Sequence, residues 1–229
     1  MLTLLLAQDG DTALMLACAN EQEAAAGELM EATKRAGALD LQAKDDCRSY
    51  KRSALHWASA QGLAGTVAQL LALGADAFLT DKEGKTAVEH AGNDKVKAAF
   101  VEHAEHSDIT DDNKDALLLL CACLGLASRV RAVLQAGANA AHINQRGKTS
   151  LTVAMEHKHD AAAELLVQPT IDAGMDIDAQ DSTGKTVLMR ACADGLTNTA
   201  AKLVSLGANP ELKDTVEAGV CVSHCVLKD

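Results

Sequence analysis

The sequence predicts an all-α fold, a solenoid of about six helix-turn-helix repeats joined by hairpin-like fingers. Three observations predict it: a short motif recurs about every 33 residues, glycines stand at fixed distances behind it, and the composition favours thin helices. Aromatic residues make up only 2% of the 229 residues, and there are two prolines. Because a single core of this size normally relies on aromatic anchors, layers of closely spaced helices filled by Leu, Val and Ala fit better.

Each copy of the motif opens with a small or hydroxyl residue, and most copies carry Leu two places later and Ala five places later. The six copies begin at Thr12, Ser53, Thr86, Ala116, Thr149 and Thr186. These residues are separated by 41, 33, 30, 33 and 37 positions. A Thr or Ser here caps a helix, because its side-chain oxygen accepts hydrogen bonds from the first-turn amides. We therefore expect the first helix of a repeat to begin near each of the six.

Glycines fix the register of the repeats. One set lies nine residues after a start residue and consists of Gly62, Gly125 and Gly195. A second set, each followed by Ala, lies 21 residues after a start residue and consists of Gly74, Gly137 and Gly207. Glycine accepts the left-handed conformation that commonly ends a helix. The two sets therefore predict the ends of the first and second helix of a repeat.

This pattern resembles the ankyrin family, whose start motif is T-P-L-H-x-A, and the best match is Ser53-Ala54-Leu55-His56-Trp57-Ala58. The resemblance covers about residues 9–214. It implies an ankyrin-repeat solenoid, and it implies that His56 makes a structural hydrogen bond to the neighbouring turn. We expect one domain over 1–229, with residues 215–229 as a partial terminal repeat or cap. The expected repeats lie near 9–44, 45–82, 83–112, 113–145, 146–181 and 182–214.

Departures from the regular spacing predict where the repeats differ. The first finger, which joins repeats one and two and includes residues 45–52, is four residues longer than the standard finger. In repeats one and five, four extra residues before the closing Gly should lengthen a helix or its following loop. Repeat three lacks the Gly-Ala pair, so we expect an irregular turn over residues 103–115 and the weakest stacking there.

Charge and cysteine content exclude several functional classes. The formal charge of −11 repels phosphate backbones, so we expect no direct nucleic-acid partner. No stretch approaches the roughly 20 apolar residues of a membrane span, which predicts a protein without membrane insertion. The seven cysteines form no framework of loop positions, and this favours a reducing compartment. We expect a cytoplasmic protein, with nuclear residence as the alternative.

Three sequence patterns imitate ligand sites. Gly-Lys-Thr occurs at Gly84, Gly147 and Gly184, but none has the further Gly five places earlier that a phosphate-binding loop needs. The run 111–115 begins like a calcium loop and lacks the required Gly and Glu. Near the C-terminus Cys221, His224 and Cys225 offer three ligands where a structural zinc takes four, and a truncated seventh repeat explains them better. We therefore predict no cofactor, no metal and no catalysis.

The resemblance implies a surface of finger tips and first helices that binds protein, and the expected function is an interaction module or scaffold. The candidate contacts are finger residues that no core argument explains, together with Trp57. Each finger residue could equally be a solvated tip, whereas Trp57 is either partly buried or part of the binding groove. The candidates are Arg48, Tyr50, Lys51, Arg52, Trp57, Phe78, Leu79, Lys82, His142, Asn144 and Arg146, followed by Gln180 and Ser182. The basic residues of the first finger suit a partner with an acidic patch. Alternatives are a regulatory or targeting subunit of an enzyme on another chain, and a structural spacer in a large assembly.

Overall fold

A computed structural model describes residues 12–35, 40–45, 50–144 and 146–214. The chain divides into two compact units, Met1–Ser107 and Asp108–Asp229. Each unit is a stack of helices, and the side chains buried between them are mostly Leu, Val and Ala. Of the four aromatic residues only Phe100 is fully buried, which agrees with a core filled by small and aliphatic side chains.

The first unit contains five described helices: α1 (Ala13–Ala19), α2 (Glu23–Arg35), α3 (Ala54–Ala60), α4 (Ala64–Ala72) and α5 (Asp94–His106). Helices α1 and α2 pack against each other, as do α3 and α4. Helix α3 also packs on α1, while α4 packs between α2 and α5. The first helices and the second helices thus form two separate layers.

The second unit contains six described helices: α6 (Lys114–Leu124), α7 (Ala127–Gln135), α8 (Ser150–Glu156), α9 (Asp160–Asp172), α10 (Val187–Asp194) and α11 (Thr197–Ser205). They form three consecutive pairs. Helix α8 contacts α6 and α10 in one layer, and α9 contacts α7 and α11 in the other. This is the nearest-neighbour arrangement expected of a repeat solenoid.

The predicted helix starts and ends are confirmed in most repeats. The side chains of Thr12, Thr149 and Thr186 each accept a hydrogen bond from the amide three residues later. Gly125 and Gly195 are left-handed C-cap residues with φ of 72° and 75°. Local sequence therefore sets these boundaries.

The prediction of a first helix near Thr86 is wrong. Residues 87–90 form a turn, with only the amide of His90 reaching the Thr86 carbonyl four residues back, at 3.3 Å. In the other five repeats the second helix begins 11 residues after the start residue, but α5 begins eight residues after Thr86. Three missing residues leave no room for a first helix before α5, and they explain the 30-residue spacing to Ala116.

The end of repeat three also differs from the expectation. Helix α5 continues to His106, so the irregular segment covers only residues 107–113 rather than beginning at His103. Helix α5 has 13 residues, four more than α4, α7 or α11. An added helical turn has therefore replaced part of a finger.

The extra residues of repeats one and five lengthen their second helices. A longer helix was one of the two expected outcomes, the other being a longer loop after it. Helices α2 and α9 each have 13 residues, whereas α4, α7 and α11 have nine. In the added turn of α9, Thr170 is fully buried and its hydroxyl donates to the Leu166 carbonyl at 2.7 Å. Four residues are close to one helical turn, so the insertion preserves which face packs on the neighbour.

The described residues form no strand, and the one isolated bridge among them joins Thr80 to Thr86 across the second finger (residues 75–86). In the same residues, no helix has the length and apolar character that crossing a bilayer would require.

Candidate protein-binding surface

A buried or half-buried polar residue organises the base of each well-described finger. In the second finger Asp81 Oδ1 accepts from the amides of Glu83 and Lys85, both at 2.9 Å. In the fifth finger (residues 175–186), Asp181 Oδ1 accepts from the amides of Thr183 at 2.7 Å and Lys185 at 3.1 Å. These bonds close a tight turn, so the aspartate side chain holds the backbone of its own finger.

The second oxygen of each finger-base aspartate binds one polar side chain from the following motif. Asp45 Oδ2 accepts from Trp57 Nε1 at 3.2 Å, and Asp81 Oδ2 lies 2.7 Å from His90 Nε2. Asp181 Oδ2 accepts from Arg190 Nε at 3.0 Å and also from Nη2. Each of the three side chains stands four residues after its start residue. The fingers are thereby fixed to the helical layer by a repeated interaction between side chains.

These contacts stabilise the ionised carboxylates. Burial by itself raises the pKa of Asp81, but hydrogen bonds from the Lys85 amide and His90 outweigh it, so the pKa lies below its ordinary value. The hydroxyl of Thr183 and the guanidinium of Arg190 hold the pKa of Asp181 well below its usual range. Both finger bases are therefore charged at neutral pH.

His56 has the structural role that the resemblance implied. Its Nε2 lies 3.2 Å from the Lys85 carbonyl, which can only accept, so Nε2 carries the proton. Its Nδ1 then accepts from the amide of Ser53 at 3.3 Å and lies 2.8 Å from the Ser53 hydroxyl. Burial lowers the pKa of His56 from 6.5 to about 4, and the imidazole is neutral. The side chain joins the first helix of repeat two to the second finger.

In the first finger, Arg52 lies against two aromatic rings that also contact each other. Its guanidinium carbon is 5.0 Å from the centroid of the Tyr50 ring and 5.0 Å from that of the Trp57 ring. Arg52 Nε also lies 3.4 Å from Asp81 Oδ2, and the Arg52 side chain is only 15% exposed. The guanidinium thus has partners within the chain, whereas the sequence suggested that the basic residues of this finger are available to an acidic partner.

Tyr50 is the exposed member of this cluster, at 43% relative exposure, whereas Trp57 is half-buried. Lys51 and Lys82 are exposed beside it. Phe78 and Leu79, on the second finger, are both half-buried. The structure therefore brings Tyr50, Lys51 and Lys82 to the surface of the first two fingers and leaves part of Phe78 and Leu79 accessible.

The candidates of the second unit separate into exposed and structural residues. His142 is exposed, while Asn144 Oδ1 accepts from the amides of Arg146 and Lys148 at 2.9 and 3.0 Å. Asn144 thus has the turn-forming role that Asp81 has in the second finger. Arg146 is half-buried.

Further along the second unit, Gln180 and Ser182 are exposed on the fifth finger, and Gln180 Nε2 donates to the Lys213 carbonyl at 2.9 Å. Ile143, which the sequence reasoning missed, is 59% exposed at the tip of the fourth finger (residues 138–149). A large apolar residue next to the turn-forming Asn144 was the signal that could have found it.

The second unit also has a concave groove of about 430 Å³ between repeats five and six. The fourth and fifth fingers form one side and helices α8 and α10 the other. Ion pairs line it, with Lys148 Nζ 2.6 Å from Glu156 Oε2 and Arg190 bound to Asp181. This groove combines finger and first-helix residues, and among its lining residues only Gln180 was a sequence-based candidate.

Some expectations fall outside the described residues. Arg48 lies there, as do Cys221, His224 and Cys225 and the proposed cap over 215–229. Among the described residues, no group of three or more His, Cys, Asp or Glu side chains could hold a metal ion. In the calcium-like run, Asp111 Oδ1 accepts from Lys114 Nζ at 2.8 Å.

Stacked helix pairs with ordered fingers define a repeat protein, and comparison with known proteins identifies the repeat. The family described as ankyrin repeats (3 copies) matches residues 2–81 and 118–214. The chain belongs to the ankyrin-repeat family, whose repeats are protein–protein interaction modules.

Two curated proteins are similar to this chain. It is 30% identical over 201 residues to ankyrin repeat and SOCS box protein 16 of Mus musculus. The aligned region covers 80% of this chain and 42% of that protein. It is 31% identical over 118 residues to ankyrin repeat and KH domain-containing protein mask-1 of Caenorhabditis elegans, covering 51% of this chain and 4% of that protein. The chain thus spans less than half the length of either relative.

A solved structure of the ankyrin repeat domain of Bcl-3, a member of the IkappaB protein family, is also similar. It matches with a TM-score of 0.45 and 23% sequence identity, covering 90% of this chain and 91% of that chain.

Proposed function

We propose that this chain is a binding module or scaffold for a partner protein that docks across the fingers of repeats one to three and covers Tyr50 and Phe78. The observation that carries the proposal is the Tyr50 ring, which is 43% exposed yet ordered by Arg52 beneath it. Tyr and Arg are enriched at the energetic centres of interfaces, where rigid aromatic rings lose little entropy on binding.

The charge of the finger surface supports a partner with an acidic patch. Lys51 and Lys82 project from a chain whose formal charge is −11, so an acidic surface would be attracted here and repelled elsewhere. We propose binding without catalysis, since the described finger-base carboxylates and His56 are engaged in holding turns. The Cys18 thiol is free and fully buried, which supports a reducing, cytoplasmic setting.

Site-specific photo-crosslinking tests this proposal. A photoreactive amino acid replaces Tyr50 or Phe78 in the full chain, and a matched control replaces Glu164, which is exposed on α9. We expect one partner protein to be captured from both finger positions and not from the control. The affinity of that partner is then measured for Tyr50→Ala and Phe78→Ala, with thermal unfolding as the stability control. Unchanged affinity in both variants would place the interface elsewhere.

A further inference from the structure

In the first two fingers, two described aspartates are buried and two described lysines are exposed. The aspartates Asp45 and Asp81 are only 3% and 6% exposed, and their oxygens bind groups within the unit. Lys51 and Lys82 are exposed, and neither forms an ion pair with any described residue. These two carboxylates are thus directed inward, while the two lysine side chains are exposed.

The fold holds the backbone of these two lysines next to Tyr50. The amide of Lys82 donates to the Tyr50 carbonyl at 2.7 Å, which joins the two fingers directly. Lys51 follows Tyr50 with a left-handed φ of 51°, a conformation that is unfavourable for a residue with a side chain. Glu83 and Lys85 form their own pair at 2.9 Å and neutralise each other. Backbone contacts therefore hold the main chain of both lysines close to Tyr50.

Arg52 orders the ring without facing solvent. Its guanidinium lies over one face of Tyr50, and Trp57 and Asp81 hold that guanidinium from the other sides. Tyr50 and Trp57 also meet edge to face, with centroids 6.4 Å apart. A side chain ordered before binding loses less entropy when a partner covers it.

We propose that Tyr50, Lys51 and Lys82 form a recognition surface for an acidic, extended segment of the partner, and that Arg52 is a positioning residue for the ring. This inference rests on the proposed function and names the partner chemistry. An apolar side chain of the segment contacts the Tyr50 ring, and carboxylates on either side reach the two ammonium groups. A carboxylate-bearing protein fits better than a nucleic acid, because two lysines are too few to offset the repulsion of a phosphate chain by a body of charge −11.

The test uses the full chain and fluorescence anisotropy with a labelled peptide in which Glu alternates with Leu. One control probe is the same peptide with Gln in place of Glu, and the other is a single-stranded oligothymidylate. We expect the Glu peptide to bind, with affinity falling as salt is raised. Lys51→Gln and Lys82→Gln should each weaken binding roughly two- to fivefold, which is the range for solvated ion pairs. The control is Lys95→Gln with Lys97→Gln, two exposed lysines of α5, which should leave affinity unchanged.

The positioning role of Arg52 is tested by a double-mutant cycle. Tyr50→Ala should weaken binding about tenfold or more. Arg52→Lys keeps the charge and loses the planar stacking, and it should weaken binding in the parent but not in the Tyr50→Ala background. Thermal unfolding of each variant shows that it is folded. Additive effects would mean that Arg52 contacts the segment directly and would overturn its positioning role.

The remaining outcomes separate this inference from the proposed function. Acidic recognition is overturned if the Glu peptide shows no binding at millimolar concentration, if the Gln peptide or the oligonucleotide binds as tightly, or if the finger lysines behave like Lys95 and Lys97. Any of these results combined with crosslinking at Tyr50 would contradict acidic recognition but would still support a protein interface at the fingers. Loss of crosslinking at Tyr50 and Phe78 would remove the interface itself.

Discussion

Asp160 provides the sharpest test of how neighbouring repeats are joined. It begins α9, and its carboxylate caps α11 of the next repeat: Oδ2 accepts from the Asn198 amide at 3.0 Å and Oδ1 from the Thr199 amide at 2.9 Å. The Thr199 hydroxyl also donates to Oδ1 at 2.7 Å. The N-cap position of α11 is Leu196, which has no side-chain acceptor, so the first-turn amides depend on the neighbouring helix.

We expect Asp160→Ala to destabilise the second unit by about 2–4 kcal/mol. Loss of a helix cap alone costs about 0.5–2 kcal/mol. Hydrogen bonds to a charged group contribute roughly 1.5–3 kcal/mol each but are not additive within one network. The hydroxyl of Thr199, a fully buried residue, keeps one acceptor in the Asp160 carbonyl at 3.2 Å, which limits the loss. Asp160→Asn retains an acceptor and should cost about half as much.

Urea unfolding followed by circular dichroism measures the free energy, and hydrogen exchange locates the effect. Protection should fall first in residues 197–205, because α11 loses its cap while α6 and α7 keep their own contacts. The matched control is Asp172→Ala at the other end of α9, where an exposed carboxylate accepts a single bond from Gln168. That variant should stay within about 0.5 kcal/mol of the parent. Equal stability of the Asp160 and Asp172 variants would refute the capping role.

Three further predictions follow from buried or constrained residues. The unfolded chain binds a proton at His56 that the native imidazole does not, because burial lowers its pKa from 6.5 to about 4. Stability should therefore decline as pH falls from 6.5 toward 4, by at most about 3 kcal/mol, and urea titrations of His56→Gln should lack this component. Phe100→Ala should cost about 3–5 kcal/mol in urea unfolding, since the ring is fully buried, and a cost below 1 kcal/mol would contradict that packing. Gly125→Ala should lower the melting temperature more than Gly137→Ala: both have positive φ, but only at Gly125 would the added methyl meet the His159 ring at 2.5 Å.

Local signals predicted much of the fold correctly. The Thr186 cap and the Gly195 C-cap required only the residue types and their spacing, because capping is a short-range interaction. The same reasoning failed at Thr86, where the motif is present but the distance to α5 is three residues short. A helix start there needed space as well as a cap, and the total repeat length did not say where the missing residues lay.

The candidate surface was harder to predict than the fold. Tyr50 and Lys82 could be identified as finger residues from the repeat register alone. The bond between their backbones could not, because it joins two fingers that are separate in sequence. Ile143 was missed for a related reason: exposure depends on what neighbouring repeats cover, and a repeat motif does not encode that.

The sequence by itself determined the repeat, its register and most helix ends, since these depend on residues within one or two turns of each other. It also determined the family and the structural role of His56, through a motif that carries both. Only the tertiary structure decided that Arg52 is enclosed by Tyr50, Trp57 and Asp81, and that Asp160 caps a helix of the next repeat. The contacts of Arg52 with Asp81 and of Asp160 with Thr199 join residues 29 and 39 positions apart, so these partners become defined only when the repeats stack.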